Sequence, residues 1–400
     1  MVDPMRAFRA LVAGAHVARP EDLPALAMQA AELLDAEEMT MYLVDYGQNN
    51  LVPLAGGGAW PRDILAVDGT LAGRSFALTE MYETGGDTGH RLWVPLLDGT
   101  ERLGVLEVLS KTIPTAQMRE QYRMAAAVLS ELLATRRLYG DAVERTRRVL
   151  PMQLAAEILW NLLPPLTFAT KDVVVSAILE PCYDIGGDAF DYAINGDVLH
   201  AAVFDSVGHG IDASALTSLA ISAYRNARRC GLDLVDTYRS IDKWVRARHP
   251  GSFVTAVMAE LDTRRGYCRK ISAGHPGELL LRDGKLIKAL PAPTAMPLGF
   301  GDLADPIPGV EEESLQPGDQ LLLYTDGVVE ARTEDGDIFG LDRLVDFVTR
   351  TLADQVSAPE TMRRLVHAIL THQHERLQDD ATAVLVQWRP SALPSPDLGV

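Results

Sequence analysis

The alternation of hydrophobic and polar residues changes along the chain and predicts regions of different structure. In residues 1–112, a repeat with helical spacing precedes short apolar runs that alternate like strands. Two of these runs, residues 92–97 and 103–109, flank an Asp-Gly-Thr turn and predict a β-hairpin. We therefore expect residues 1–112 to form an α/β domain.

From residue 113 onward the apolar residues recur in alternating steps of four and three. That spacing is typical of the a/d seam of a coiled coil, here interrupted by Arg136 and Thr146. The seam would contain Met118, Tyr122, Ala125, Leu129, Leu132, Tyr139, Val143 and Leu150. We expect residues 113–166 to form a helical coiled-coil linker, with a switch helix at residues 153–163, that joins two chains as a homodimer. The alternative is a long amphipathic helix that packs on its own domain.

The next region alternates short β-like runs with four longer helical patterns. Tight turns between adjacent runs, as at residues 282–285, favour antiparallel strand pairing. This mixture predicts an α+β domain in residues 167–389, with two packed antiparallel sheets between layers of helices. The tail, residues 390–400, is rich in proline and is predicted to be disordered.

The net charge of −18 is divided between the two ends of the chain. Residues 1–112 carry −8 and residues 171–400 carry −12, whereas the segment between them carries +2. Acidic surfaces repel phosphates, so we expect no nucleic-acid partner. The sequence has no apolar run of the ~18–20 residues that a membrane helix needs, no ordered secretory signal, and three cysteines without metal-ligand spacing. A cytoplasmic location without membrane attachment is therefore expected.

Four acidic motifs in residues 167–389 lie where predicted strands meet turns, and side chains from different strands can converge there. The motifs contain Asp188 and Asp191, then Asp205, Ser206 and His209, then Asp326, and finally Asp379 and Asp380. Hard cations such as Mn²⁺ and Mg²⁺ bind carboxylate and carbonyl oxygens, and no histidine–cysteine cluster is present for zinc. Each motif alone is also a common Asp-Gly turn, so the prediction of a two-metal site depends on all four together.

In their order along the chain, these motifs resemble the metal-dependent protein phosphatases of the PPM type, in the SpoIIE/RsbU-like branch. The resemblance covers residues 150–388 and includes the stretches FVTAVMAELD, SAGHP, PLG, PGDQLLLYTDGVVEAR and DDATAVLV. A second likeness, between GGDAF and the GGDEF signature of diguanylate cyclases, is rejected. Ala189 replaces the acidic residue of that signature, and the later acidic motifs have no place in a cyclase.

The resemblance implies an active hydrolase in which two Mn²⁺ or Mg²⁺ ions activate a water for in-line attack on phosphorus. The ligands that it implies are Asp188, Asp205, the Ser206 backbone carbonyl, Asp326 and Asp379. Asp205 would bridge both ions. The Ser206 carbonyl and Asp188, the latter directly or through a water, would bind the second ion, and Asp326 and Asp379 would bind the first.

Three further residues have implied roles beside these ligands. Asp191 and Asp380 would lie in the outer shell of the metal site. His209 would act either as a general acid toward the leaving serine oxygen or as a structural loop residue.

The first region resembles a GAF domain through the stretches LAGRSF and VPLLDGTERLGVLEV. A GAF-like domain implies a small-molecule or protein ligand that regulates the phosphatase. The alternative is a domain of similar shape that only dimerises.

The branch implies a substrate as well, a phosphorylated serine or threonine on a STAS-domain anti-anti-sigma protein in a bacterial partner-switching pathway. Two other functions are open at this point. One is an inactive phosphatase fold that binds a phosphorylated partner as a scaffold, and the other is a phosphohydrolase that acts on a small molecule. The complete set of acidic residues favours the active protein phosphatase.

Overall fold

The computed structural model describes residues 4–56, 62–86, 89–184, 186–291, 294–303, 308–333, 336–354, 356–374, 377 and 379–390. The chain divides near residue 151 into two compact units. The predicted linker is therefore not a separate region, because its first helices belong to the N-terminal unit and its last helix to the C-terminal unit. The predicted disorder of residues 391–400 lies outside the described residues. Across the described ranges, no helix has both the length and the apolar character needed to span a bilayer.

In the N-terminal unit, a six-stranded antiparallel sheet carries helices on both faces. Its elements are α1 (Pro4–Ala15), α2 (Leu23–Leu33), β1 (Glu38–Val44), β2 (Asn50–Pro53), β3 (Leu65–Ala66), α3 (Leu71–Leu78), β4 (Tyr82–Gly86), β5 (Gly89–Asp98), β6 (Glu101–Ser110), α4 (Ala116–Arg136) and α5 (Ala142–Arg147). The strand order is β3-β2-β1-β6-β5-β4, and the predicted hairpin, β5 with β6, is confirmed. One face buries Leu43 and Leu106 against α1, α2 and α4, and the other packs Trp93 against Phe76 of α3. A separate α/β region is thus confirmed, whereas the likeness to a GAF domain stays a prediction.

The predicted seam residues of helix α4 pack against other elements of the N-terminal unit. Tyr122, Ala125 and Leu129 are fully buried in the core that also contains α1 and α2. The helix ends at Arg136, so no continuous seam reaches residue 150. The prediction of a coiled-coil linker is therefore wrong, and the structure has the alternative, a helix packed on its own domain. The prediction of a homodimer through this seam loses its basis, since Tyr122, Ala125 and Leu129 are already buried within one chain.

The C-terminal unit contains two antiparallel sheets and six helices within the described ranges. The helices are α6 (Leu154–Trp160), α7 (Gly210–Arg229), α8 (Leu234–Arg248), α9 (Asp326–Glu330), α10 (Gly340–Ala353) and α11 (Ala358–His372). The strands are β7 (Thr167–Ala169), β8 (Val173–Glu180), β9 (Asp188–Asn195), β10 (Val198–Ser206), β11 (Val254–Asp262), β12 (Tyr267–Ala273), β13 (Leu279–Arg282), β14 (Lys285–Ala289), β15 (Glu311–Ser314), β16 (Gln320–Tyr324) and β17 (Ala381–Trp388). The five-stranded sheet has the order β15-β12-β11-β10-β9, and the six-stranded sheet has the order β14-β13-β16-β17-β8-β7.

Both faces of the central strands in this unit are covered, which explains why their sequences are almost continuously apolar. In β8, Val175, Ala177 and Leu179 point into the core between the sheets, whereas Ile178 points toward α10 and α11. Helices α7 and α8 cover the outer face of the five-stranded sheet in the same way, for example against Phe204 of β10. The predicted α+β sandwich of two sheets between helical layers is confirmed.

Candidate metal centre

The first two acidic motifs meet at one end of the β9–β10 hairpin. Strand β9 begins at Asp188 and β10 ends just after Asp205, and the antiparallel register pairs these two residues directly. Glycine precedes Asp188 because the backbone passes too close to other groups for a side chain. A Cβ on Gly187 would lie 2.7 Å from the Ser206 carbonyl oxygen. The hairpin therefore brings two carboxylates to one edge of the five-stranded sheet.

The other two motifs meet at an edge of the six-stranded sheet. Strand β16 ends two residues before Asp326, and β17 begins directly after Asp380. The antiparallel pairing of β16 with β17 places these two residues side by side. Only glycine fits at position 327, because a Cβ there would lie 1.9 Å from the Asp380 carbonyl oxygen. The Asp326-Gly327 pair is thus packed directly against the Asp379-Asp380 pair.

Hydrogen bonds join the two sheets at this edge. The Thr325 hydroxyl donates to Oδ2 of Asp188 at 2.6 Å. The Asp380 carboxylate accepts hydrogen bonds from the backbone N–H groups of Gly186 and Gly187, each at 2.6 Å. It also accepts one from the backbone N–H of Asp188 at 3.1 Å. The acidic motifs of both sheets therefore form a single region, which we call the carboxylate cluster: Asp188, Asp205, Asp326, Asp379 and Asp380.

The pKa values of these carboxyl groups are raised by burial and by one another. Burial raises the pKa of Asp188 well above its usual range, and the charges of Asp205 and Asp380 raise it further. Burial, followed by the charges of Asp326 and Asp379, raises the pKa of Asp205 to about 7. Burial and the charge of Asp379 also raise the pKa of Asp326. Carboxylates crowded in this way favour the binding of a cation, which relieves their repulsion.

The carboxylate cluster is open to solvent on one side. Asp188 is buried, Asp205 and Asp326 are half-buried, and Asp379 is exposed. A substrate that arrives from solvent can therefore reach the cluster from the side of Asp379.

The loop after β10 carries Ser206 and His209 beside the cluster. Ser206 is buried, its hydroxyl lies 2.6 Å from the Thr217 hydroxyl, and its carbonyl oxygen lies against Gly187. His209 is exposed at the N-cap position of α7, and its side chain makes no capping hydrogen bond. This position is compatible with both predicted roles of His209, a general acid and a structural loop residue.

Asp191 does not belong to the carboxylate cluster. It lies three residues after Asp188 on β9, so the two side chains point to opposite faces of the sheet. Its carboxylate accepts hydrogen bonds from Nε and Nη2 of Arg225 at 3.0 and 2.7 Å and from Nη1 of Arg228 at 2.8 Å. Both arginines lie on α7. The structure thus places Asp191 in a buried ion-pair network between α7 and β9 instead of the predicted outer shell.

The sequence did not point to the threonines of the site. Thr325 bonds Asp188, and the Thr255 hydroxyl lies 3.4 Å from Oδ2 of Asp205. For Thr325 the sequence held one signal, its place directly before the Asp326-Gly327 pair. Thr255 follows from pairing alone, since it lies opposite Asp205 in the register of β10 with β11.

The residues present fit Mn²⁺ or Mg²⁺ by their chemistry. Carboxylate and backbone carbonyl oxygens are the donors that these cations prefer, and the raised pKa values show several carboxylates that share one region. Within the described ranges, no three acidic, histidine or cysteine side chains form a ready-made coordination shell. The oxygen donors are thus of the kind that these cations prefer. The side chains have to move closer to one another before they can coordinate an ion.

Two packed antiparallel sheets between helices, with a carboxylate cluster at one edge, are the arrangement expected from the resemblance to the PPM class of phosphatases. Within the C-terminal unit, residues 195–389 match the family model described as Stage II sporulation protein E (SpoIIE). The matched residues include Asp205, Asp326 and Asp379, whereas Asp188 precedes them.

The chain is also similar to individual proteins. It is 24% identical over 238 residues to the phosphoserine phosphatase RsbU of Bacillus subtilis (strain 168), which covers 59% of this chain and 69% of the relative. It is 22% identical to the protein IcfG of Synechocystis over 62% of this chain and 42% of the relative. A crystal structure of the RsbU and RsbW domains of Rv1364c from Mycobacterium tuberculosis is 27% identical, with a TM-score of 0.48 over 58% of this chain and 63% of that one. The chain thus spans less than two thirds of the length of two of these three proteins.

Proposed function

We propose that this protein is a Mn²⁺- or Mg²⁺-dependent serine/threonine protein phosphatase. The observation that supports this most is the convergence of Asp188, Asp205, Asp326 and Asp379 from two sheets at one edge of the sandwich. If these carboxylates served only in structural ion pairs, arginine or lysine side chains would lie among them. Here the charges that raise the pKa values of Asp188, Asp205 and Asp326 are those of other carboxylates.

The carboxylates divide between two ions in this proposal. Asp205 would bind both ions, Asp188 and the Ser206 carbonyl would hold one, and Asp326 and Asp379 would hold the other. When bound, the ions supply the positive charge that activates a water and neutralises phosphate oxygens. The exposed side at Asp379 admits the phosphate, and the buried side at Asp188 keeps the ligands in place.

We further propose that the substrate is a phosphoserine or phosphothreonine on a STAS-domain anti-anti-sigma protein. The similarity to RsbU, which is named a phosphoserine phosphatase, supports this class of substrate. The open, exposed side of the cluster suits a phosphorylated side chain that projects from a folded protein. Regulation by the N-terminal, GAF-like unit belongs to the same proposal.

A phosphatase assay with Mn²⁺ tests the proposal on the full chain. We expect release of phosphate from phosphorylated STAS proteins, and Asp326→Asn should lower kcat/KM by more than about 100-fold because it removes a metal-binding charge. The matched control is Asp283→Asn, which lies in the exposed β13–β14 turn at a φ of 49° that asparagine readily adopts. This control should keep full activity.

The same assay separates the other two functions. Binding of a phosphorylated partner without release of phosphate would identify a scaffold. Hydrolysis of phosphometabolites with no activity on phosphoproteins would identify a small-molecule phosphohydrolase. Full Mn²⁺-dependent activity of Asp326→Asn would contradict the assignment of the metal ligands.

A further inference from the structure

We propose that Thr325 is a positioning residue that fixes the carboxylate of Asp188 for the second metal ion, an inference that rests on the proposed function. Thr325 is fully buried and its hydroxyl is already engaged by Asp188 and by the backbone N–H of Thr382, so it is not a ligand itself. Its role would be exerted through Asp188.

The hydrogen bonds around Thr325 determine the direction of its hydroxyl group. The backbone N–H of Thr382 donates to Oγ1 of Thr325 at 3.0 Å. Because an N–H can only donate, this bond occupies a lone pair of the hydroxyl oxygen and leaves the O–H free to donate. Of its two acceptors, Oδ2 of Asp188 at 2.6 Å is much nearer than the Thr382 carbonyl oxygen at 3.4 Å. When Asp188 is ionised, a bond of this length to its carboxylate is among the stronger hydrogen bonds in proteins.

The position of Thr325 itself is fixed by the six-stranded sheet. Its backbone N–H donates to the Thr382 carbonyl oxygen at 2.9 Å, directly after the last pair of β16 with β17. Asp188 begins β9 of the other sheet. The Thr325 hydroxyl is therefore a rigid donor on one sheet that holds a carboxylate on the opposite sheet.

Asp188 is held at its backbone as well. Its N–H donates to the Asp380 carboxylate, which also accepts hydrogen bonds from Gly186 and Gly187. With the main chain fixed by Asp380 and Oδ2 held by Thr325, the carboxylate of Asp188 has a defined orientation in which to meet a cation. A fixed carboxylate loses less entropy when it binds an ion than a freely rotating one.

Substitutions of Thr325 can separate the effect of its hydroxyl group from the effect of its side-chain shape. Thr325→Val replaces the hydroxyl by a methyl group of similar size, and Thr325→Ser keeps the hydroxyl. The matched control is Thr351→Val, because Thr351 is also buried and its hydroxyl bonds only the Phe347 carbonyl oxygen within α10. Thr325→Ala removes the hydroxyl without adding a methyl group beside the carboxylate, and it replaces the valine variant if that variant does not fold.

Calorimetric titration of the metal-free full chain with Mn²⁺ measures the effect directly, with circular dichroism as the check on folding. We expect Thr325→Val to weaken one Mn²⁺-binding step about 10- to 100-fold, as the loss of a group that orients a ligand does elsewhere. Thr325→Ser and Thr351→Val should titrate like the wild type.

Two results would overturn the positioning role while the proposed function stands. One is wild-type Mn²⁺ binding by a folded Thr325→Val or Thr325→Ala variant. The other is weakened binding by Thr325→Ser equal to that of Thr325→Val, which would assign the effect to packing of the methyl group. If the wild-type chain binds no Mn²⁺ at all, the proposed function fails and the positioning role fails with it.

Discussion

At the scale of single residues, the site depends on backbone contacts so close that two positions accept only glycine. Gly187 and Gly327 are glycines because a Cβ would meet a carbonyl oxygen of the neighbouring strand or loop. These glycines let the acidic motifs of each sheet lie against one another. The Asp-Gly pairs that look like ordinary turns in the sequence are therefore packing points of the carboxylate cluster.

The raised pKa of Asp205 predicts how the stability of the metal-free protein depends on pH. In the unfolded chain this carboxyl group has a pKa near 3.8, whereas in the folded protein burial and the neighbouring carboxylates raise its pKa to about 7. Between these two values the folded state holds a proton that the unfolded state has lost. Stability is therefore greatest at or below about pH 4 as far as this group is concerned, falls as pH rises to about 7, and stays low above it.

Urea unfolding in the presence of a chelator, between pH 5 and pH 8, measures this dependence. Asp205→Asn should make this pH dependence shallower, because one of several carboxyl groups with a raised pKa no longer titrates, while Asp283→Asn should leave it as in the wild type. Mn²⁺ should stabilise the protein more at pH 8 than at pH 5, because protons compete with the metal for the carboxylates. Metal-free stability that rises from pH 5 to pH 8 would contradict this account of Asp205.

At the scale of elements, the face of a strand decided which acidic residues could work together. Asp188 and Asp191 are both on β9 and both buried, and the family resemblance had placed both at the metal site. The pleat of the strand sends one toward Thr325 of the opposite sheet and the other toward the arginines of α7. The partner of each carboxylate comes from a different element, more than 30 residues away, and local patterns contain no information about it.

The Asp191 network predicts a loss of stability without a loss of metal binding. Asp191→Asn would leave Arg228, whose side chain is 7% exposed, without its ionic partner. We expect a decrease of about 3–5 kcal/mol in the free energy of unfolding, as for other buried ion pairs that lose one member. Mn²⁺ affinity of the folded variant should be unchanged, since Asp191 lies outside the carboxylate cluster.

Thermal or urea unfolding and a Mn²⁺ titration check both parts of this prediction. The control is Asp346→Asn, which breaks an exposed i,i+4 pair with Arg350 on α10 and should change stability by less than about 0.5 kcal/mol. A clear drop in Mn²⁺ affinity of Asp191→Asn would restore the outer-shell role that the family resemblance implied.

At the scale of the whole molecule, the chain consists of two units with separate cores. The seam of α4 belongs to the N-terminal core, so the helix stabilises that unit and does not extend as a linker. Helix α6 packs in the core of the C-terminal unit, where Ala156 and Leu159 are fully buried. The proposed regulation therefore has to act between two folded units and not along one continuous helix.

Comparison of the full chain with residues 152–400 tests this regulation. Each allosteric coupling is a difference in free energy, typically 1–3 kcal/mol or about 5- to 150-fold in affinity. We expect the two proteins to differ within that range in the Mn²⁺ concentration that gives half-maximal phosphatase activity. Circular dichroism should show that the shorter protein is folded, since its buried clusters lie within its own boundaries. Identical activity at every Mn²⁺ concentration would exclude coupling by the N-terminal unit.

The sequence by itself determined the two-sheet sandwich and the candidate ligands. Strands covered on both faces are mostly apolar, and the candidate ligands lie at or beside strand ends, so the pattern showed where side chains could converge. Tertiary structure decided three other points: the partner of the α4 seam, the separation of Asp191 from Asp188, and the part of Thr325. The physical reason is the same in each case. Periodicity in the sequence shows that a side chain is buried. Because the hydrophobic effect is not directional, periodicity does not show which group that side chain contacts, and only the packed structure determines this.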